Sequence, residues 1–549
     1  MKFGTKRKSF AAALCVAVMG VVATALPATA QTRVSGGFEG GSSGSGAGAA
    51  GPSVETTTVA LAPDAPGVLE TPAPVVDPAQ ASVAYTKLLD RRELVAGGVP
   101  ALRGPAGPAA PLPNGPTTVS GGAATDLLSV PRNTQNSVAK SVAQTLAEPA
   151  AAVDDREVIY TGNTFGSRST DNGNTWTSFS YPAGPTEAPN ACCDTDVVHH
   201  SPTDTTFHIM LYTNAALTNG NVRIFVRRGS TDTVDCSYTI DPSGSATMMP
   251  DYPHIAVSNG YLYLSYQKVD GSSNWVGSDM KRFNVSQMSN CQTTSSNTYT
   301  YTGSSQRIIV PAEGATTTMY WGVLDNTTTF RLYKWPESST SVSSNTYSVA
   351  ESAFNNPDCR GGTNNYDFIE RGTAYSIAGF RMRGAVAGSV VQFVWPSSAV
   401  GGATQAHVRG VVVNPSTNTK VQDTIIYNNS TPLCFSFPVL GGNSDGEFAI
   451  SLAAGGKSGG GGSAAQGYVG VDDSSTSGYW FQTVSLTASG TTNRSDGRFG
   501  DYFTIRANER CPRTWVATNF ALSGGSTSSA NVNARFVQLQ SNTEPACAP

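Results

Sequence analysis

One unit recurs along the second two-thirds of the chain: a carboxylate, a short alternating strand, a turn, then a stronger strand. It begins at Asp196, Asp251, Glu313, Asp367, Asp445 and Asp501, in steps of 55, 62, 54, 78 and 56 residues. The copy Asp251-Tyr-Pro-His-Ile-Ala-Val followed by Tyr261-Leu-Tyr-Leu-Ser-Tyr shows the pattern. A β unit of this size cannot bury its own faces, so neighbours must stack, and closing the stack into a ring protects the strand edges. The repeat length is that of a propeller blade or slightly more. An all-β chain with a single β-propeller over residues 153–549 is therefore predicted. Six anchors predict six blades, with 157–182 and 533–540 completing the Asp501 blade from both chain ends. The 78-residue step leaves seven blades as the alternative, the extra one falling around 406–427.

Upstream of this domain the composition changes. Lys2, Lys6, Arg7 and Lys8 precede an apolar run over 10–22 and then Ala28-Thr29-Ala30, the pattern of a secretory signal peptide occupying residues 1–30. The run is shorter than the roughly 20 residues of a membrane span. Residues 31–152 are Gly/Ser-rich over 36–51 and Pro/Ala-rich over 63–116, too poor in large apolar side chains to offset the entropy of ordering, and read as a disordered tether. Lys+Arg 35 against Asp+Glu 39, without a basic block, gives nucleic acid and anionic membrane no footing. The reading is a secreted monomer, extracellular or periplasmic, with no membrane insertion.

Cysteine usage agrees with export. Outside the signal peptide stand Cys192, Cys193, Cys236, Cys291, Cys359, Cys434, Cys511 and Cys547, an even number read as disulfides. Cys511 with Cys547 would clip the C-terminus, while adjacent Cys192 and Cys193 either close on each other or split between two partners.

The sharpest local motif is Ser169-Thr-Asp171-Asn-Gly173-Asn-Thr175-Trp176, which fits the Asp box, Ser-x-Asp-x-Gly-x-Thr-Trp, at every defined position. Asp171 can accept N–H groups within a tight turn, Gly173 can take positive φ, and Trp176 can bury its ring between strands. On these residues the chain resembles the sialidase or BNR-repeat β-propeller superfamily. The resemblance implies a propeller, an extracellular glycan as ligand, and a structural role for the box on the rim away from the active site. Only Asp270…Trp275 approaches a second copy. Sialidases of that superfamily bind a substrate carboxylate with three arginines. Their Phe/Tyr-Arg-Ile-Pro signature is missing here, and Arg307-Ile-Ile-Val-Pro311 does not replace it, so a true sialidase is not expected. Arg371, Arg381, Arg383, Arg409, Arg498 and Arg506 remain as material for a cationic cluster.

If each anchor opens the innermost strand of its blade, the carboxylates converge on one mouth of the channel, where mutual repulsion raises a pKa as glycosidases require. Capping of local N–H groups explains the same residues without chemistry. Asp194, Glu370, Arg371 and Glu447 sit beside anchors without repeating, which suits a catalytic site better; together with the anchors Asp251 and Asp367, the residues Asp194, Glu370 and Arg371 are the catalytic candidates. Tyr252, Tyr366, Asp445, Glu447, Asp501 and Tyr502 are candidates for substrate binding. Asp196…His199 and Asp251…His254 repeat an Asp-x-x-His spacing that places the two side chains on opposite faces of a strand, a poor chelate. No cofactor is required; the carboxylates could hold a structural cation such as calcium. Two functions stay open: a secreted glycoside hydrolase with carboxylates at the channel mouth, or a noncatalytic glycan- or protein-binding propeller.

Overall fold

A computed structural model of the chain describes residues 54–55, 60–64, 118–120 and 128–541, apart from short internal segments of which 370–381 is the longest. Glu370, Arg371, Asp501, Cys547 and the signal peptide lie outside the described residues. The strands fall into seven antiparallel blades, not six. Blade 1 runs from Ala150–Asp154 to Thr177–Phe179, blade 2 from Asn190–His200 to Cys236–Ile240, and blade 3 from Met248–Val257 to Thr294–Tyr301. In blade 4, the stretch around Ala312 leads into Thr318–Asn326, Thr329–Pro336 and Ser343–Ser348, the Ala312 N–H donating to the Tyr320 carbonyl at 2.9 Å. Blade 5 spans Arg383–Ala387 to Thr419–Ile426, and blade 6 spans Cys434–Gly442 to Thr483–Ala488. Blade 7 holds Thr504–Asn508, Cys511–Asn519 and Arg535–Ser541.

The ring is closed by strand exchange between the chain ends. Leu128–Gln135, which precedes blade 1, pairs antiparallel with Arg535–Ser541 and becomes the outer strand of blade 7. Segment 157–182 thus belongs to a blade of its own and not to the Asp501 blade, which is why six anchors give seven blades. Segment 406–427, the expected place of an extra blade, supplies the outer half of blade 5, His407–Asn414 and Thr419–Ile426. Residues read as tether also join the sheets: Val54–Glu55 and Ala60–Leu61 pair with the outer strand of blade 3, and Thr118–Ser120 runs parallel to Thr483–Ala488. The folded domain therefore begins well before residue 153.

Neighbouring blades cover both faces of the inner and middle strands, which are mostly buried, Thr205–Thr213 along its whole length. Large aromatics fill the wedge between blades 3 and 4, where Tyr299, Trp321, Tyr333 and Trp335 pack with ring centroids 5.2 to 6.3 Å apart. The closure seam is pinned by the 169–176 turn. Asp171 accepts the Thr175 N–H at 2.8 Å and the Thr175 hydroxyl at 2.7 Å, and Ser169 Oγ accepts the Gly173 N–H at 2.7 Å. Gly173 has φ of +84°, and a Cβ there would lie 2.4 Å from the Phe536 ring, so the turn needs glycine twice over. Trp176 meets Tyr160 and Phe536 edge-on at 5.4 and 5.8 Å, joining blade 1 to the last strand of blade 7. Disulfides join Cys192 to Cys193, Cys236 to Cys291 and Cys359 to Cys434; Cys511 is also disulfide-bonded.

Candidate functional site

The first strand of each blade lines the central channel, and side-chain size changes along these strands in three layers. At their N-terminal ends Tyr252, Ile308, Val310 and Tyr502 pack into a buried plug. The Tyr502 hydroxyl donates to the Pro253 carbonyl at 3.1 Å, and the Tyr252 N–H donates to Asp194 Oδ2 at 3.1 Å. Asp194, Tyr252 and Phe437 have positive φ, each beside a register shift in the inner strand of its blade, the mark of a bulge.

Two to four residues further along the chain comes a layer of charge. Asp196 Oδ1 accepts from Arg506 Nη2 at 2.7 Å and from the Val197 N–H at 2.9 Å; its Oδ2 accepts from the Ile255 N–H at 3.2 Å and lies 3.1 Å from His254 Nδ1. The same Arg506 nitrogen stands 2.9 Å from Glu313 Oε1. Burial works against the charge on Asp196, but the Arg506 guanidinium and the His254 hydrogen bond hold its carboxyl well below the usual range. Glu313 goes the other way: burial and the Asp196 charge outweigh Arg506 and Arg383, and its carboxyl is pushed up to about 7. Burial and Arg383 push His254 down to about 3, so its imidazole is neutral at physiological pH. An ionised Asp196 and a Glu313 whose carboxyl is raised toward neutrality thus share an arginine, and contacts of 2.7 and 2.9 Å to one nitrogen keep their bound oxygens less than about 6 Å apart.

Beyond the charge layer a cavity of about 160 Å³ opens at the C-terminal ends of the inner strands. Glu313, Arg506, His199, His200, Ser258 and Asn259 give it polar walls, while Ala152, Gly314, Ala315, Gly442 and Ala507 give it room. Burial pushes His199 down to about 4, so this ring is also neutral.

The sequence candidates divide sharply by place. Asp196 and Glu313, two of the six anchors, meet in the channel, though Asp196 sits in mid-strand and not at a mouth. Asp194 and Asp251 are buried at the plug level, Asp251 accepting from Gln267 Nε2. Tyr252 and Tyr502 are plug and cannot stack on a sugar. Asp367 caps the Cys359 and Ile369 N–H groups at 2.9 and 2.8 Å in a two-stranded pair outside the blades, and Tyr366 beside it is exposed. Asp445 lies in the turn of blade 6, paired with Arg513 at 3.3 Å, and Glu447 accepts from Asn443 Nδ2 at 2.9 Å in the same turn. Neither reaches the cavity lining. Among the described residues Arg383 and Arg506 are the candidate arginines that converge on the channel; their signal is a charge inside a short buried run, as in Thr504-Ile-Arg-Ala-Asn508. His254, set aside as a poor chelator, is instead the hydrogen-bond partner of Asp196 from the next blade.

No family model and no curated protein matches this chain. Among solved structures it is similar to an alpha-L-arabinanase from Penicillium chrysogenum, at 11% identity over 73% of this chain and 94% of that one, with a TM-score of 0.34. It is also similar to the NanB sialidase of Streptococcus pneumoniae, at 10% identity over 72% and 68% of the two chains with a TM-score of 0.33. The lectin of Aleuria aurantia aligns at 13% identity over 59% and 91%, with a TM-score of 0.29. At these identities and TM-scores the likenesses carry no role over to this chain.

Proposed function

We propose that the protein is a secreted carbohydrate-binding propeller that seats one sugar unit in the channel cavity. The observation that carries this is the cavity wall itself, where Glu313 and Arg506 stand among Ser258, Asn259 and His200 in a space of about 160 Å³. Mixed donors and acceptors around a small polar hollow suit a polyol, whose hydroxyls do both, better than an apolar ligand. A cavity of about 150 Å³ takes one benzene ring, so the space suits one sugar ring or the end of a chain. A protonated Glu313 can donate to a hydroxyl oxygen and accept through its carbonyl oxygen.

A second reading, glycoside hydrolysis, is favoured by one observation: Glu313 keeps its proton near neutrality next to an ionised Asp196, the division of labour of an acid and its partner carboxylate. Against it, Asp196 already has two contacts on each oxygen and is almost fully buried, so it serves better as a fixed anion than as a nucleophile. A glycan array and a polysaccharide hydrolysis screen, run on the wild type and Glu313→Gln, decide between them. Saturable sugar binding without turnover, weakened at least tenfold by the substitution, supports the binding reading. Turnover abolished by Glu313→Gln with binding retained replaces it by the hydrolase, and neither binding nor turnover removes both.

A further inference from the structure

Beside the cavity, at the junction of blades 1 and 2, three side chains converge that the carbohydrate reading does not use. Asp154 ends the inner strand of blade 1, His199 is the penultimate residue of the inner strand of blade 2, and Asp204 follows the Ser201–Thr203 turn. One ligand atom from each lies within 4.8 Å of the others. Asp154 and His199 are buried and Asp204 is exposed. We infer that these residues form a divalent transition-metal site, taking zinc, manganese or a similar ion, at the edge of the channel cavity.

The imidazole carries the argument. His199 is 5% exposed, and its Nδ1 is engaged with Thr206 Oγ1 at 3.0 Å. With Nδ1–H donating to that hydroxyl, Nε2 keeps a lone pair, the arrangement in which histidine ligates metals and an outer hydrogen bond sets its tautomer. Nε2 faces Asp154 Oδ1 at 3.8 Å, too long for a hydrogen bond. Two ligand atoms each about 2.1 Å from one ion stand at most about 4.2 Å apart, so this separation suits a shared ion. Asp204, on the surface, needs a shift of well under 1 Å to bring its carboxylate to the same distance, and its exposure permits that. One nitrogen and two carboxylates neutralise a dication and select a borderline metal; calcium, which wants six to eight oxygens, fits poorly. The two strand-borne ligands come from neighbouring strands, which explains why the Asp-x-x-His spacing within one strand was uninformative. Val153, His199 and Ser201 also line the cavity, which provides an entry path and leaves room for water or a ligand oxygen on the remaining positions.

The inference does not rest on the carbohydrate reading, because the ion is measured without sugar. The full secreted chain, stripped with a chelator, is titrated calorimetrically with Zn²⁺, Mn²⁺ and Ca²⁺, and with Co²⁺ followed by its visible absorption. One equivalent of Zn²⁺ or Co²⁺ is expected to bind, with Ca²⁺ at least tenfold weaker. His199→Gln and Asp204→Asn are each expected to weaken Zn²⁺ at least tenfold and to change the Co²⁺ spectrum. Since His199 is buried and its variant can misfold, Asp204→Asn on the surface keeps the test decisive; Zn²⁺ should raise the melting temperature of the wild type more than that of this variant. Absence of saturable Zn²⁺ binding, Ca²⁺ binding tighter than Zn²⁺, or Zn²⁺ affinity unchanged in folded Asp204→Asn overturns the site.

Discussion

Replacing Glu313 by glutamine isolates the energetic consequence of the channel's charge layer. The wild-type carboxyl titrates near 7 in the folded protein against an ordinary 4.5, because burial and Asp196 oppose its ionisation more than Arg506 and Arg383 assist it. A carboxyl whose folded-state pKa is raised gives its full contribution below the unfolded value and loses it as pH rises through the folded one. Stability from this group therefore falls between pH 4.5 and 7. At about 1.4 kcal/mol per pH unit, the loss is about 3 kcal/mol. Glutamine keeps the side chain's length and its acceptor for Arg506 but never ionises. Its stability relative to wild type should thus rise by about 3 kcal/mol between pH 4 and pH 8. Urea unfolding followed by tryptophan fluorescence, with equal m-values for both proteins, measures that gap at each pH. A gap that is the same at both ends would mean that Glu313 ionises normally, and the argument for a protonated carboxyl in the cavity would fall with it.

Trp176→Ala should destabilise the domain by about 2 to 3 kcal/mol in denaturant unfolding, below the 3 to 5 of a fully enclosed ring, because Trp176 is only partly buried against Tyr160 and Phe536. A chain starting at residue 118 should melt as cooperatively as the full protein, whereas one starting at 137 lacks Leu128–Gln135, leaves Arg535–Ser541 as a bare edge, and should lose the single calorimetric transition or aggregate. Replacing Cys236 and Cys291 together by serine should cost about 4 kcal/mol from loop closure across their separation of 55 residues, read as a lower urea midpoint.

Much of the ring was legible because blade faces are buried on both sides, and largely apolar runs such as 207–212 and 261–266, broken by His208 and Ser265, read as strands when they recur at blade spacing. Blade 1 was missed for a physical reason. Its inner strand begins Ala150-Ala-Ala-Val153, all of it buried, because small side chains suit the crowded axis of a ring; in composition the same residues continue an Ala/Pro-rich linker. The closing strand Leu-Ser-Val-Pro-Arg-Asn-Thr-Gln hides likewise, since an outer strand is polar and tolerates proline. Its partner lies at the other end of the chain, and no local pattern announces such a pairing.

The site was legible in its acids and not in its partners. Asp196 and Glu313 belong to the repeat, but Arg506, the cation that holds Asp196 ionised and touches both carboxyls, is separated from Asp196 by 310 positions. The expectation that all anchors meet at one mouth failed because a repeated carboxylate can serve any local need. Asp367 caps two N–H groups, Asp445 pairs with a surface arginine, and among the described anchors Asp196 and Glu313 are the two that meet on one arginine. Which end of the channel opens is decided by bulk along the inner strands. Tyr252, Ile308, Val310 and Tyr502 fill the N-terminal end, while Ala152, Gly314, Gly442 and Ala507 leave the other end hollow. The tyrosines that looked like sugar platforms are thus what closes one mouth, and Glu313 faces the other because small residues surround it. Enlarging that small set, for example Ala507→Leu, should occupy the cavity and abolish ligand binding while the plug and the Asp196–Arg506 pair stay in place. Binding unchanged in a folded Ala507→Leu protein would move the ligand site away from the channel altogether.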